Sequence, residues 1–393
     1  MGWSCRLLDS MTGLLAEPVD VPSLSWSLTV SGASLRTTPD EEGVVEAGSA
    51  SGLRLPWEAV PGATREARMR AVAPYRRGLL LAMDGRPVIA GIIGDRSDTW
   101  ADTGFDLVAP LDMLASRYLV REGAFGAGPG STTTDAVALS GLSARAVVCE
   151  AVRLCTSAKP GGALPVDLPY AGEAGSASRS WEGWDVANLS CKQVVSDISS
   201  AEGGPDVQLR PYLPDPSHLR WRLVAGSDAQ PSLSGPAPGH SLTWRPGGGT
   251  VDSIEVGWGA PVMRVYGTGA GQDQGTLCAL SQDLSLVRTR DPMPLVEATC
   301  SDTSWPDSAT VRSHAAASVS RPTCQIVATV SATDPAHTVR PGLAWPGEPV
   351  RLWVEGYPSL PDGAYDLRIM EMSGDLGDAV TVTFDAVASP WEG

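Results

Sequence analysis

The segment from Gly78 to Ile93, GLLLAMDGRPVIAGII, carries the strongest structural signal in the sequence. Two apolar runs, Gly78 to Met83 and Arg86 to Ile93, flank the pair Asp84-Gly85. An Asp-Gly pair between apolar runs predicts a β-hairpin, because these residue types tolerate the positive φ of a tight two-residue turn. The segment therefore predicts two paired antiparallel strands near the start of the chain.

Outward from this hairpin, period-two alternation predicts strands at both ends of the chain. Leu24 to Val30 alternates apolar and polar residues, which is typical of a half-buried strand. Three similar runs follow near the C-terminus: Val350 to Val354, Tyr365 to Ile369 and Val380 to Phe384. These three strands form a meander too short to close a core alone, so we expect it to pack on an earlier segment or on a partner chain.

Helical spacing of apolar residues is confined to short stretches. It predicts helices over Leu111 to Val120, Leu142 to Leu154, Val186 to Ile198 and Ala309 to Ala317, with another short helix around Leu277 to Leu284. The chain contains 43 glycines and 32 prolines, a composition that favours strands and turns over long helices. We therefore predict a mainly β fold with a few short helices.

The length of 393 residues exceeds what one ordinary core accommodates. We predict four units: an N-terminal β-barrel with a closing helix in residues 1–130, a mixed α/β middle domain in residues 131–235, an inserted β domain in residues 236–335, and the C-terminal β meander in residues 336–393. The stretch GAFGAGPG, Gly123 to Gly130, is expected to link the first two units.

The charge balance is strongly acidic, with 45 acidic residues, 29 basic residues and a net charge of −16. This excess argues against general binding to nucleic-acid phosphates and disfavours anionic membrane surfaces. No signal peptide is visible and no run of eighteen apolar residues occurs, so we expect no membrane anchor. Most of the acidic excess is expected to be solvated surface, and the sharper hypothesis is an acidic channel wall along which DNA slides.

No motif in the sequence predicts a catalytic, cofactor-binding or metal-binding residue. The glycine-rich stretch Gly267 to Gly275, GTGAGQDQG, has Gln272 where a dinucleotide motif needs its third glycine. Neither a GxSxG nor an HExxH motif occurs, although a carboxylate pair of the glycosidase type remains open. The seven cysteines lack a CxxC spacing and are interpreted as buried free thiols: Cys5, Cys149, Cys155, Cys191, Cys278, Cys300 and Cys324.

Tryptophan is unusually abundant, with thirteen residues against three phenylalanines. Four tryptophans keep phase with the apolar face of a predicted strand and are predicted to be core residues: Trp26, Trp221, Trp244 and Trp258. Trp353 is out of phase with Val350, Leu352 and Val354, so it should point to the opposite face. A role in the core or in an interface is favoured over sugar stacking.

Four stretches, taken in order, resemble the tail-hub proteins of long-tailed actinobacterial bacteriophages, also labelled minor tail or baseplate hub proteins. They are Ala73 to Gly78 running into the hairpin Met83 to Gly91, the helix Leu111 to Arg121 (LDMLASRYLVR), Gly204 to Leu223, and Pro361 to Phe384. These stretches span most of the chain and carry family-level patterns rather than catalytic signatures.

The resemblance implies a multi-domain β-barrel hub that assembles as a homotrimer. Each subunit would hold two tail-tube-like barrels, so that three copies present six barrels to a sixfold tail tube. Implied partners are a distal tail or tail-tube protein above, tip or fibre proteins below and, as a further candidate, the tape measure protein. The hub would be assembled in the host cytoplasm, reside at the virion tail tip, lack enzymatic activity, and let DNA pass during ejection without binding it specifically.

Two alternatives remain beside the hub. The first is a receptor-binding β protein of the tail tip that binds glycans through exposed tryptophan, for which loss of glycan binding in Trp353→Ala would be diagnostic. The weaker second alternative is a carbohydrate-cleaving enzyme, for which turnover of host cell-wall polysaccharide would be diagnostic.

Overall fold

The computed structural model describes residues 2–21, 23–30, 32–36, 52–126, 130, 132–201, 203–233, 239–303, 305 and 307–391. Residues 127–129 of the predicted linker lie outside this set. The strands are β1 (Trp3–Asp9), β2 (Leu15–Val19), β3 (Ser25–Thr29), β4 (Ala33–Arg36), β5 (Leu53–Pro56), β6 (Arg77–Met83), β7 (Arg86–Asp98), β8 (Asp102–Val108), β9 (Ala136–Leu142), β10 (Val166–Asp167), β11 (Ala174–Glu182), β12 (Val207–Asp215), β13 (His218–Ala225), β14 (His240–Arg245), β15 (Gly248–Gly249), β16 (Ser253–Gly259), β17 (Arg264–Thr268), β18 (Cys278–Gln282), β19 (Glu297–Ser301), β20 (Thr323–Ser331), β21 (Pro349–Val354), β22 (Gly363–Gly374) and β23 (Ala379–Ala388).

The helices are short, as the sequence predicts. They are α1 (Arg65–Ala71), α2 (Pro110–Met113), α3 (Ala144–Cys155), α4 (Cys191–Ser200) and α5 (Ser308–Ala317), and 3₁₀ turns occupy Leu114–Ser116, Gly183–Asn188, Asp273–Gly275 and Leu286–Arg288. The architecture is therefore mainly β with a few short helices, which confirms the predicted fold class.

The hairpin predicted around Asp84-Gly85 is confirmed as β6 and β7. Both turn residues have positive φ, 50° at Asp84 and 75° at Gly85, as the tight turn requires. Among the described strands this hairpin lies at the centre of a six-stranded sheet with the order β2-β1-β6-β7-β8-β5. Every residue from Gly78 to Met83 is buried. The run is continuously apolar because other parts of the chain cover both faces of this sheet.

One face of the six-stranded sheet packs against a sheet built largely from the C-terminal half of the chain. Nine described strands form this second sheet; β15-β14-β21-β22-β23-β20-β16 is its main path, and β3 joins β22 and β4. The two sheets share one apolar core, in which Leu79 and Leu81 belong to the first sheet and Ile326 and Val382 to the second. The C-terminal meander therefore packs on earlier segments, as predicted.

Strand β22 is the longest element of the second sheet and connects its two halves. Its first half pairs with β21, and its second half pairs with β23 on one side and β3 on the other. Trp26 of β3 is buried and donates its indole N–H to the Asp375 carbonyl at 2.9 Å. The N-terminal strand Ser25–Thr29 is thus an integral part of the C-terminal sheet.

The opposite face of the six-stranded sheet is covered by the middle unit. Strands β12 and β13 form a hairpin, and the predicted apolar face of β13 is confirmed because its alternate residues are buried: Leu219, Trp221, Leu223 and Ala225. Leu219 and Trp221 share an apolar cluster with Leu8, Leu80 and Ile92 of the six-stranded sheet. Helices α3 and α4 pack with strands β9 and β11 around a separate core of the middle unit.

Two predicted helices of this region differ from the structure. The stretch from Leu111 to Val120 is helical only through α2 and the following 3₁₀ turn, because Arg117 becomes extended and Leu119 donates its N–H to the Leu189 carbonyl. The stretch from Val186 to Ile198 is interrupted before α4, where the Ser190 side chain caps the helix by accepting a hydrogen bond from the N–H of Gln193. The predicted helices over Leu142 to Leu154 and Ala309 to Ala317 are confirmed as α3 and α5.

A small unit is inserted between β16 and β20, which pair with each other. Strands β18, β17 and β19 form its sheet, and α5 packs on it. The predicted helix around Leu277 to Leu284 is wrong, because this segment forms β18 and pairs with β17. The glycines of the GTGAG stretch have a packing role, since a Cβ on Gly267 would lie 2.9 Å from the Val311 side chain of α5.

Candidate functional site

A polar network joins the middle unit to the C-terminal sheet. Arg210 of β12 forms an ion pair with Glu348 at 2.5 Å, and His240 contacts the other carboxylate oxygen of Glu348 at 3.0 Å. Arg368 and Asp206 form a second ion pair across the same junction. These contacts orient the two units by directional interactions in addition to apolar packing.

Glu348 is the central acceptor of this network. Burial raises the pKa of its carboxyl, but the hydrogen bond from His240 and the charge of Arg210 outweigh burial, so the pKa lies below its ordinary value of 4.5. Glu348 therefore remains ionised at neutral pH and neutralises the Arg210 guanidinium, whose side chain is largely buried.

Gln208, two residues before Arg210, adds uncharged hydrogen bonds to the junction. Its amide Nε2 donates hydrogen bonds to the carbonyl oxygens of Val30 and Pro346, each at 2.9 Å. One side chain of the middle unit thus bridges two segments that the sequence separates widely. No local pattern in the sequence predicts this contact, because both of its acceptors are backbone carbonyls.

The segment just before β6, Ala73 to Arg76, is held in an unusual backbone conformation. Tyr75 has a φ of 59°, which is uncommon for a residue other than glycine. The segment is held by the Tyr75 N–H, which donates to the Ile93 carbonyl at 2.7 Å, and by the Ser10 hydroxyl, which donates to the Tyr75 carbonyl at 2.8 Å. The aromatic ring remains exposed, so this strained position presents a large side chain at the surface.

The tryptophan predictions are confirmed at three positions, partly fulfilled at one and wrong at one. Trp26 and Trp221 are buried, and Trp244 is partly buried against the core. Trp353 points away from the core and is 51% exposed, as its phase predicts. Trp258 is 46% exposed and not a core residue.

Trp258 is exposed because of its place in the sheet. It lies near the end of β16, the outermost strand on its side of the described sheet. There the apolar face opens onto a groove of about 500 Å³ beneath the inserted unit, which Met263 and Trp391 also line. Trp258 points to the same face of β16 as the buried Ile254, as its position in the alternating pattern predicts. No described core residues cover this end of the strand, so the ring is exposed.

Trp353 lies on the open face of the C-terminal sheet, between Thr243 on β14 and Ala364 on β22. Both neighbours are small, so the indole ring stands above its surroundings. A flat exposed ring can contact either an apolar protein surface or a sugar face. The glycan-binding alternative therefore stays a prediction.

The cysteine prediction is confirmed at five positions. Five of the seven are buried free thiols, whereas Cys300 is partly exposed and Cys278 is exposed on the inserted unit. Burial raises the pKa of the Cys5 thiol to about 12 and that of the Cys149 thiol to about 11. These two thiols are protonated at neutral pH and poorly suited to nucleophilic chemistry.

No group of three His, Cys, Asp or Glu side chains within the described residues is placed to hold a metal ion. None of the described helices combines the length and apolarity needed to cross a membrane.

Comparison with known proteins gives structural matches only: no protein-family model and no curated protein matches the chain. The 43 kDa tail protein of prophage MuSo2 from Shewanella oneidensis matches with a TM-score of 0.50 and 9% identity, over 98% of each chain. The prophage tail protein gp18 of Listeria monocytogenes matches with a TM-score of 0.42 and 10% identity, over 97% of this chain and 94% of that one.

A third match is the E. coli c3393 protein, a component of the type VI secretion system. Its TM-score is 0.40 and its identity 10%, over 94% of this chain and 74% of that one. Among these three, the MuSo2 protein is the match that supports a shared fold, and it does so over nearly the whole of both chains. The chain described here therefore shares its overall fold with the MuSo2 tail protein.

Proposed function

We propose that this chain is a structural subunit of a bacteriophage tail tip, which assembles as a homotrimeric hub between the sixfold tail tube and the threefold tip. The observation that carries this proposal is the likeness to the MuSo2 tail protein over 98% of both chains. Because the match includes the middle and inserted units, it supports a role for the whole chain rather than for one module.

The trimer is supported by surfaces that the single chain leaves open. Strand β16 is outermost in the described part of the C-terminal sheet, so one of its edges can pair with another chain. Trp353 and Trp258 expose large aromatic rings on the same sheet. Exposed edges and aromatic side chains of this kind are commonly covered by assembly into a closed symmetric oligomer.

The proposed hub has a structural rather than an enzymatic role, and it lines a conduit for DNA. The net charge of −16 supports this role, because a wall that carries the same sign of charge as phosphate does not retain DNA. The proposed neighbours are a distal tail or tail-tube protein on one face and tip or fibre proteins on the other. The actinobacterial phage origin suggested by the sequence remains part of the proposal.

Sedimentation equilibrium of the purified chain tests the assembly. The proposal expects a mass of three times 40.9 kDa that persists over a dilution series. Trimer formation should be insensitive to moderate salt if sheet edges and aromatic rings form the interface, because apolar contacts are not screened. A mass that stays at one chain over the whole series would contradict the homotrimer.

A further inference from the structure

A cationic pocket lies where three distant parts of the chain meet. The turn of the β6–β7 hairpin, the β12–β13 hairpin of the middle unit and the segment 342–345 line an open pocket of about 530 Å³. Three arginines line it, Arg86, Arg210 and Arg222, and none of the described residues that line it is an aspartate or a glutamate. This local composition is opposite in sign to the net charge of −16 on the whole chain.

Two of the three guanidinium groups are available to a ligand. Arg210 is already neutralised by Glu348. Within the described part of the chain, Arg86 forms neither an ion pair nor a hydrogen bond through its side chain. Arg222 lies 4.3 Å above the Tyr212 ring and forms no ion pair with any described residue.

The acid that lies opposite Arg222 in the sheet register also has other partners. Asp167 is the strand neighbour of Arg222, and its carboxylate is held by Arg220 and by the Tyr212 hydroxyl. Asp167 nevertheless interacts electrostatically with Arg222, so it offsets the Arg222 charge in part and the pocket keeps a reduced positive charge.

The hairpin turn at Arg86 and the segment 342–345 approach each other closely. Gly342 has a φ of 75°, and a Cβ at this position would come within 2.9 Å of the Arg86 Cβ. Glycine therefore lets the segment 342–345 approach the hairpin turn and close one wall of the pocket. The other walls are mostly apolar, formed by Pro87, Pro211, Leu213, Val224, Leu343 and Trp345.

This combination of charge and apolar wall suits one kind of ligand. A guanidinium group binds a carboxylate through two parallel hydrogen bonds. The apolar walls would cover the side chains on either side of that carboxylate. We propose that this pocket binds an acidic peptide segment of a partner protein, in which a Glu or Asp side chain is flanked by apolar residues.

Nucleic acid fits the pocket less well than peptide does. A strand of phosphates extends well beyond a pocket of this size and would meet the acidic remainder of the surface. A single acidic side chain with apolar neighbours matches both the cationic and the apolar parts. Peptide binding to this pocket does not require trimer formation. Sedimentation can therefore show a trimer even if the peptide does not bind.

A fluorescein-labelled peptide of alternating Glu and Leu is the probe, and its fluorescence anisotropy reports binding to the full chain. The double variant Arg86→Ala/Arg222→Ala should weaken binding about tenfold or more, because it removes both unpaired charges. The control variant Arg65→Ala/Arg76→Ala removes the same charge from exposed positions outside the pocket and should bind within about twofold of the original chain. Circular dichroism should show that both variants remain folded.

A control peptide and an oligonucleotide show whether the pocket binds a carboxylate specifically or attracts any negatively charged molecule. A matched peptide with Gln in place of Glu should bind about tenfold or more weakly, because it cannot form the ion pairs. The proposal is overturned if the Glu peptide does not bind, or if the two arginine variants weaken binding equally. It is also overturned if single-stranded DNA binds in the pocket as tightly as the peptide and loses affinity in the double variant.

Discussion

Replacing Trp221 with alanine should lower the free energy of unfolding by about 3–5 kcal/mol, the range measured for truncation of a buried tryptophan. Trp221 is almost fully buried between β13 and the six-stranded sheet. Its indole Nε1 also lies 3.4 Å from the Ala90 carbonyl, as a donor. Truncation would leave a cavity at the surface where the middle unit meets the N-terminal sheet, because neither sheet can collapse to fill it.

Urea denaturation followed by tryptophan fluorescence and by circular dichroism measures this effect. Trp100→Ala is the matched control, since it deletes the same side chain at a position that is fully exposed. The control should change stability by less than about 0.5 kcal/mol. Equal effects at the two positions would contradict the packing described for the middle unit.

Replacing Glu348 with glutamine should destabilise the chain by about 3 kcal/mol at neutral pH, near the lower end of the range for breaking a buried ion pair. The variant leaves the Arg210 guanidinium without a counter-charge in a largely buried position. Glutamine keeps the size of the side chain, so lost packing contributes little. The control Asp366→Asn breaks the exposed pair with Arg351 and should have a much smaller effect, because water screens this pair.

The pH dependence of the Glu348 effect has a definite sign. The pKa of this carboxyl is lowered on folding, so its contribution is complete above the pKa of the unfolded chain and is lost as the pH falls through the folded value. The stability difference between the original chain and Glu348→Gln should therefore be constant near neutrality and shrink below about pH 4. A difference that grows on acidification would show that Glu348 is not the ionised partner of Arg210.

Local features of the fold could be predicted from sequence because short-range rules determine them. The Asp84-Gly85 turn follows from the backbone preferences of two residues, and the outward direction of Trp353 follows from strand periodicity. Sequence also predicted that the C-terminal meander would need an earlier segment. It could not show that β3 pairs with β22. Alternation of apolar and polar residues indicates which side chains of a strand are buried, but not which strand lies beside it.

The remaining errors have a common physical origin in tertiary context. The spacing of apolar residues from Leu277 to Leu284 fits a helix, yet pairing with β17 makes this segment a strand. Trp258 has the phase of a core residue but lies where the core ends. The arginine pocket was missed for the same reason, since Arg86, Arg210 and Arg222 are brought together only by the contact between units.

Electron cryomicroscopy of the purified assembly tests the proposed hub most directly. The account predicts a ring with a threefold axis, in which each copy contributes two β modules, so that six modules surround an acidic central channel. A single copy without a threefold axis, or a ring whose channel is basic, would contradict it.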